Sequence, residues 1–388
     1  SRATTMWAIA LLALCAWGGH DASAVKIGEL AKGAGRGLKN VQYLRQMPQR
    51  NRFAVPDFNL YRRVDDVLGE TESIVRNHPD IMKMETRTHT ENGYQVNMTV
   101  VTVEPTGHTK DNSHKARVWL NFGEHAREII TSDVGLRLLR LLGDRSMAGV
   151  TVEDQAKVRA ALDKVVFKIV PIENENGRRK VEGGDYCERR NGRGVDPNRN
   201  WEVDWGVKEK DYDPREEFPG THPFSEPEAF LIHQMLQEFK PHAWVNVHSG
   251  MEALFCPYDH IANVPGGAGA QAMLRILREL NGKHCHQRCV IGSGGKSVGY
   301  LAHGTATDYI YDRLKLPVVY TFEIWGDMHA HHDDCFRMFN PIGQVGYEEV
   351  VARWAASFLT LTGLLEWHPE LEDIFQRDPT AAGGGGLA

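Results

Sequence analysis

An excess of positive charge, a dense set of cysteines, a membrane-length apolar run and an internal repeat are all missing from this 388-residue chain. Lys and Arg total 45 against 51 Asp and Glu, a net charge of -6, so no basic field is available to hold nucleic acid or an anionic membrane. Six cysteines are too few for a disulfide-dense scaffold, although a few bridges stay open. No apolar stretch reaches the roughly 20 residues that a bilayer-spanning helix needs. No linker longer than a surface loop divides Tyr61 from Leu365, which argues for one large domain. What is present is a globular composition, 41% hydrophobic and 25% charged, with apolar material for a sizeable core.

The ends of the chain read differently from its body. Met6 to Trp17 is a short apolar run followed by Ala22-Ser23-Ala24, small residues of the kind a signal peptidase requires. Residues 1–24 therefore read as a secretory signal peptide, with an uncleaved anchor as the alternative. Cleavage before Val25 removes Cys15 and leaves Cys187, Cys256, Cys285, Cys289 and Cys335. Two bridges and one free thiol are expected, with the pairing open. Residues 25–58 have no sustained period and read as an N-terminal extension without a folded prodomain. Residues 366–388, which include the run Gly383 to Gly386, read as a flexible tail.

Between these ends, helical and extended patterns alternate. Helices are expected near 61–77, 129–142, 226–239, 270–280, 307–314 and 341–365, and strands near 94–103, 116–122, 164–170, 243–248 and 317–324. The runs VVFKIV, AWVNV and VVYTF are almost uniformly apolar, the pattern of strands buried on both faces. The fold class is thus α/β, with a mixed central sheet covered by helices on both sides.

Three strand ends carry residues suited to metal binding or proton transfer. The first runs into Gly123-Glu124-His125-Ala126-Arg127-Glu128. His125 and Glu128, three apart where a loop enters a helix, can turn toward one point, and imidazole nitrogen and carboxylate oxygen are ordinary zinc ligands. The plain alternative is a surface ion pair. The second ends in His248-Ser249, placing a polar His at the carboxyl end of a buried strand, where open α/β sheets bind ligands. The third contains Glu323 among apolar residues, and burying an unpaired carboxylate costs several kcal/mol. Either a basic partner holds it, or it serves as a general base beside a metal. A basic loop from Arg189 and Arg190 to Asn198 and Arg199 offers planar forks that can grip a carboxylate or stabilise an oxyanion. Alone, that loop reads more readily as a solvated charged turn.

Gly123 to Glu128, Gly194-Val195-Asp196-Pro197-Asn198-Arg199-Asn200-Trp201, Pro219-Gly220, Pro223 to Glu228, His248-Ser249, Tyr300 to Thr305 and Thr321-Phe322-Glu323 occur in this order. Over residues 59–365 the chain thereby resembles the zinc metallocarboxypeptidases of the carboxypeptidase A/B type. The resemblance implies that His125, Glu128 and His248 hold one zinc ion and that Glu323 is the general base. It implies that Arg189, or Arg190 with a one-residue shift, polarises the scissile carbonyl. Asn198 and Arg199 match the pair that holds the substrate's terminal carboxylate, Tyr300 the tyrosine that closes over it, and Arg127 and Ser249 outer substrate contacts. A buried clamp on a free carboxylate rejects internal peptide bonds because its polar groups would be left unpaired.

What the resemblance implies is a secreted or lumenal monomer that hydrolyses the C-terminal peptide bond of peptides or proteins, binding no nucleic acid and no membrane after signal cleavage. Its specificity pocket includes Thr307, whose hydroxyl favours neither apolar nor basic side chains, and Asp259, whose charge favours Lys or Arg. An apolar or mixed preference is the alternative, with Asp259 a solvated loop residue. A catalytically silent peptide-binding homologue and an amidohydrolase of small acyl-amino acids are the rival functions.

Overall fold

Eight strands join in one sheet in the order β1-β2-β4-β3-β5-β8-β6-β7. The strands are β1 (Met82–Glu91), β2 (Tyr94–Val103), β3 (Ala116–Phe122), β4 (Val165–Val170), β5 (Ala243–His248), β6 (Met251–Cys256), β7 (Val290–Ser293) and β8 (Val318–Trp325). The central four, β4-β3-β5-β8, are mutually parallel, while β2 and β6 join them antiparallel, so the sheet is mixed as expected. The computed structural model describes residues 53–108 and 112–376, and Ala54 onward forms one unit. The expected signal peptide and residues 25–52 of the expected N-terminal extension lie outside the described residues.

Both faces of the sheet are covered. Val118, Leu120, Phe122, Val245 and Val247 pack against α1 (Val64–Asn77), α2 (Ile130–Gly143), α6 (Gly267–His284) and α8 (Gln344–Leu364). The alternate residues Trp119, Trp244 and Val319 face the other way, onto α5 (Pro227–Phe239) and α7 (Ala306–Asp312). Each fully buried Val, Leu or Phe is worth roughly 1.5–3 kcal/mol, so two-sided burial makes the central strands the anchor of the fold. Local chemistry fixes the helix starts. Thr151 caps α3 (Val152–Leu162), Asn174 caps α4 (Glu175–Glu182) and Thr305 caps α7, each accepting a backbone N–H.

Most boundaries fall within a few residues of expectation, while β1, β6, β7, α3 and α4 had no counterpart there. The described part of the expected tail is folded. Residues Leu365–Trp367 and Glu372–Gln376 are helical, and Leu371 and Phe375 are buried in the main core. Apolar residues four apart on one helical face are the physical reason. The disulfides are Cys187–Cys335 and Cys285–Cys289, leaving Cys256 free and buried.

The topology fixes where a ligand can bind. From β3 the chain crosses to β4 on one side, and it returns to β5 on the other side of β3. Loops leaving the carboxyl ends of β3 and β5 therefore diverge and open a crevice between them.

Candidate active site

His125 follows β3 and His248 ends β5, on the two lips of that crevice. Gly123, with φ +70°, turns the chain out of β3, and a Cβ there would stand 2.9 Å from Ser132 Oγ. The turn delivers His125 and Glu128 together. His125 Nδ1 lies 2.8 Å from Glu128 Oε1, and His248 Nδ1 lies 3.1 Å from Glu128 Oε2 and 3.1 Å from His125 Nδ1. All three residues are buried. Ser249 N–H donates to Glu128 Oε2 at 3.1 Å and steadies the carboxylate. Burial opposes the Glu128 charge, but the two imidazoles outweigh it and hold its pKa below the usual carboxylate range.

Two imidazole nitrogens and one carboxylate converging on a point form the donor set of a catalytic zinc site, which leaves a fourth position for water or substrate. Each histidine meets a carboxylate on its outer nitrogen. His125 Nε2 lies 3.1 Å from Asp196 Oδ1, and His248 Nε2 lies 3.1 Å from Glu124 Oε2. Glu124 can also be grouped with His125 and His248 as a metal-ligand cluster. It approaches His248 from the Nε2 side, however, whereas both Nδ1 atoms face Glu128, so the set His125, Glu128 and His248 fits better. Another cluster of ligand type among the described residues, His331, His332 and Asp333, is exposed.

Glu323 stands opposite His248 in the β5–β8 register and shares its face of the sheet. Its Oε2 is enclosed without a hydrogen-bond partner. Burial first, and then the Glu128 charge, push its carboxyl up to about 8, with His248 and Arg189 pulling the other way. A carboxylate held in that range at a crevice is poised to take and return a proton.

Arg189 lies on the metal side, with Nη1 3.9 Å from Glu128 Oε1. Arg190 instead folds onto Glu188, donating from Nε at 2.9 Å. Arg199 is buried, with Nη2 on Glu217 Oε1 at 2.8 Å and Nη1 on the Asn198 carbonyl at 3.0 Å. Asn198 Oδ1 accepts the Ala306 N–H at 2.9 Å, tying this loop to the start of α7. At Gly304, with φ +69°, a Cβ would collide with the Arg199 carbonyl, so the loop bearing Tyr300 can pass close by only as glycine. Tyr300 is 43% exposed.

Arg127 is engaged elsewhere. It forms a two-pronged ion pair with Glu216, at 2.7 and 3.1 Å, and stacks on Phe339. In the candidate specificity pocket, Thr307 and Thr321 share a hydrogen bond of 2.7 Å. Asp259 follows a cis Pro257–Tyr258 peptide, and its N–H donates to Asp308 at 2.9 Å. Enclosure and the Asp308 charge raise its carboxyl to about 7, against hydrogen bonds from Thr305 and Thr307.

Asp196 and Glu124 were quoted in the motifs without a role, and Asn121 and Asn246 were missed. Each is a polar residue inside or beside an apolar strand or buried turn, the same signal that singled out Glu323.

Two histidines and a carboxylate at the switch point of an α/β sheet, with an enclosed acid opposite one histidine, have the donor types of a metallohydrolase centre. The family model for zinc carboxypeptidases matches residues 68–347. The chain belongs to the zinc carboxypeptidase family, peptidase M14. It is 24% identical over 297 residues to carboxypeptidase A6 of Mus musculus, covering 71% of this chain and 63% of that protein. It is 25% identical over 296 residues to carboxypeptidase A2 of the same species, covering 71% and 65%. The match thus spans just under two thirds of these relatives. The crystal structure of carboxypeptidase A from Helicoverpa armigera has the same fold, with a TM-score of 0.64, 20% identity, and coverage of 79% of this chain and 74% of that one.

Proposed function

We propose that this protein is a zinc-dependent metallocarboxypeptidase that removes single residues from peptide C-termini outside the cytoplasm, with a preference for Lys and Arg. The carrying observation is the convergence of His125 Nδ1, His248 Nδ1 and the Glu128 carboxylate, with enclosed Glu323 opposite His248 in register. Zinc in this donor set supplies Lewis acidity, polarising a carbonyl and acidifying water. Glu323 takes the proton of the attacking water and delivers it to the departing amine. Arg189 faces the oxygen on which negative charge grows. Arg199 and Asn198 hold the substrate's terminal carboxylate, and Tyr300 closes over it from the rim. Buried Arg199 can exchange its Glu217 contact for the substrate, which aligns the last peptide bond with the metal ligands.

The preference for basic residues rests on Asp259, partly buried beside Thr305 and Thr307. A cationic side chain entering there would favour the ionised acid and gain a charge-assisted contact. Two disulfides, in a chain whose first residues read as a signal peptide, support action in an oxidising compartment.

A peptide library digested with and without a zinc chelator, followed by mass spectrometry, tests the reading. Loss of single C-terminal residues, abolished by chelator and richest for Lys and Arg, is expected. Internal cuts, or cleavage insensitive to chelator, would overturn it.

A further inference from the structure

The two histidines of the site are supported unequally. Asp196, behind His125, also accepts from Arg189 Nε at 2.9 Å and from the Asn198 N–H at 2.9 Å, so it belongs to the substrate side as well. Glu124, behind His248, has no such second duty in the crevice. Its Oε2 lies 3.1 Å from His248 Nε2 and accepts Asn246 Nδ2–H at 2.7 Å. Asn246 Oδ1 in turn accepts Asn121 Nδ2–H at 3.2 Å, and Asn121 also donates to Glu173 Oε2. Glu124, Asn246, Asn121 and Glu173 are all 0–1% exposed, so this line of side chains runs inward from His248 entirely away from water.

A neutral imidazole that binds metal through Nδ1 must carry its proton on Nε2, and a buried proton of that kind needs an acceptor. At His248 that acceptor can be Glu124, which is within hydrogen-bond distance although the N–H sits off the ideal line. Keeping a carboxylate in a dry interior is costly, and an apolar residue of similar volume would usually serve stability as well or better. Asn246 donates to the same Glu124 oxygen that faces the ring, and Asn121 and Glu173 extend the line behind it.

We infer that Glu124 is a positioning residue that fixes His248 with Nδ1 toward the metal, braced from behind by Asn246, Asn121 and Glu173. This rests on the zinc reading above. Its effect is on how tightly metal is retained, through a carboxylate–histidine pair independent of the substrate groups. Glu124→Leu removes the acceptor, whereas Glu124→Gln preserves shape and retains a weaker, neutral oxygen.

Zinc release from the zinc-loaded full-length protein to a chromophoric chelator tests it, together with thermal midpoints of the metal-free and loaded forms. For Glu124→Leu, metal affinity is expected to fall about 10- to 100-fold, with faster release. Glu124→Gln should fall between it and wild type. The metal-free midpoint of Glu124→Leu should fall modestly, because Asn246 loses its acceptor, and the stabilisation gained on adding zinc should shrink in addition. Unchanged zinc release in a folded Glu124→Gln and Glu124→Leu pair would overturn the inference. So would an equal loss of stability in metal-free and loaded forms, which marks a purely structural role. Failure of the wild type to bind zinc would instead refute the underlying zinc reading.

Discussion

Arg189 donates its Nε–H to Asp196 Oδ2 at 2.9 Å, and neither residue is in open solvent. Burial opposes the guanidinium charge, and Asp196 followed by Glu128 outweighs it, so the cation is held more firmly than in water. The other oxygen of Asp196 reaches His125 Nε2 at 3.1 Å. One carboxylate therefore sets the orientation of both His125 and Arg189, the proposed metal ligand and the proposed oxyanion partner. Arg189→Ala should lower kcat by about 100- to 1,000-fold with a smaller change in KM, because the lost contact strengthens as charge develops. Steady-state kinetics on a short peptide would check it, and a change confined to KM would assign Arg189 to ground-state binding instead.

Glu323→Gln keeps the shape of the side chain and removes its basicity. A fall in kcat/KM of about 100- to 10,000-fold is expected, with zinc content unchanged by metal analysis. Full activity in a zinc-replete variant would remove Glu323 from the proton-transfer role.

For Asp259 the expectation concerns ratios rather than rates. With its carboxyl near 7, ionisation grows as pH rises from 6 to 8. The kcat/KM ratio of a C-terminal Arg peptide over a C-terminal Phe peptide should therefore increase across that window. In Asp259→Asn the ratio should be lower and flat with pH. A wild-type ratio independent of pH and of this substitution would mean that Asp259 does not meet the substrate side chain.

Asp133 lies in the first turn of α2, buried, with Arg62 Nε 3.8 Å from its Oδ1. Burial raises its carboxyl to about 7, against the pull of Arg178 and Arg62. Between the ordinary value of 3.8 and about 7 the folded state binds more protons than the unfolded one, so this group's contribution is full below that window and declines as pH rises through it. The melting temperature of Asp133→Asn relative to wild type should accordingly increase from pH 4 to pH 8. A constant difference would mean that Asp133 is ionised throughout.

The central fold was legible because its signals are local. β3 and β5 match the expected limits, since Ala116–Phe122 and Ala243–His248 are apolar runs closed by Gly123 and by Ser249-Gly250. β1, with the sequence MKMETRTHTE, was not, because an edge strand has few apolar residues to reveal it. α3 escaped because only Val158, Ala161 and Leu162 are buried, too few to set a clear period. β6 begins three residues after His248, and its antiparallel pairing with β8 is invisible without that partner. At the site, the resemblance pointed to His125, Glu128, His248 and Glu323. The brace behind His248 depends on Asn121 meeting Asn246 across 125 residues of chain, and no local pattern encodes that meeting.

That asparagine pair also bears on how the sheet avoids assembling incorrectly. Asn121 and Asn246 are partners in the parallel β3–β5 alignment, bonded to each other and, at either end of the pair, to Glu173 and Glu124. If the strands slid past each other by one residue, each amide would face the wrong side with nothing to bond, and each orphaned group costs about 1–3 kcal/mol. Apolar neighbours alone would tolerate such a slip far better. The pair thus acts as a key for strand alignment, so the sheet can close fully only when the strand ends that carry His125 and His248 are brought level with each other.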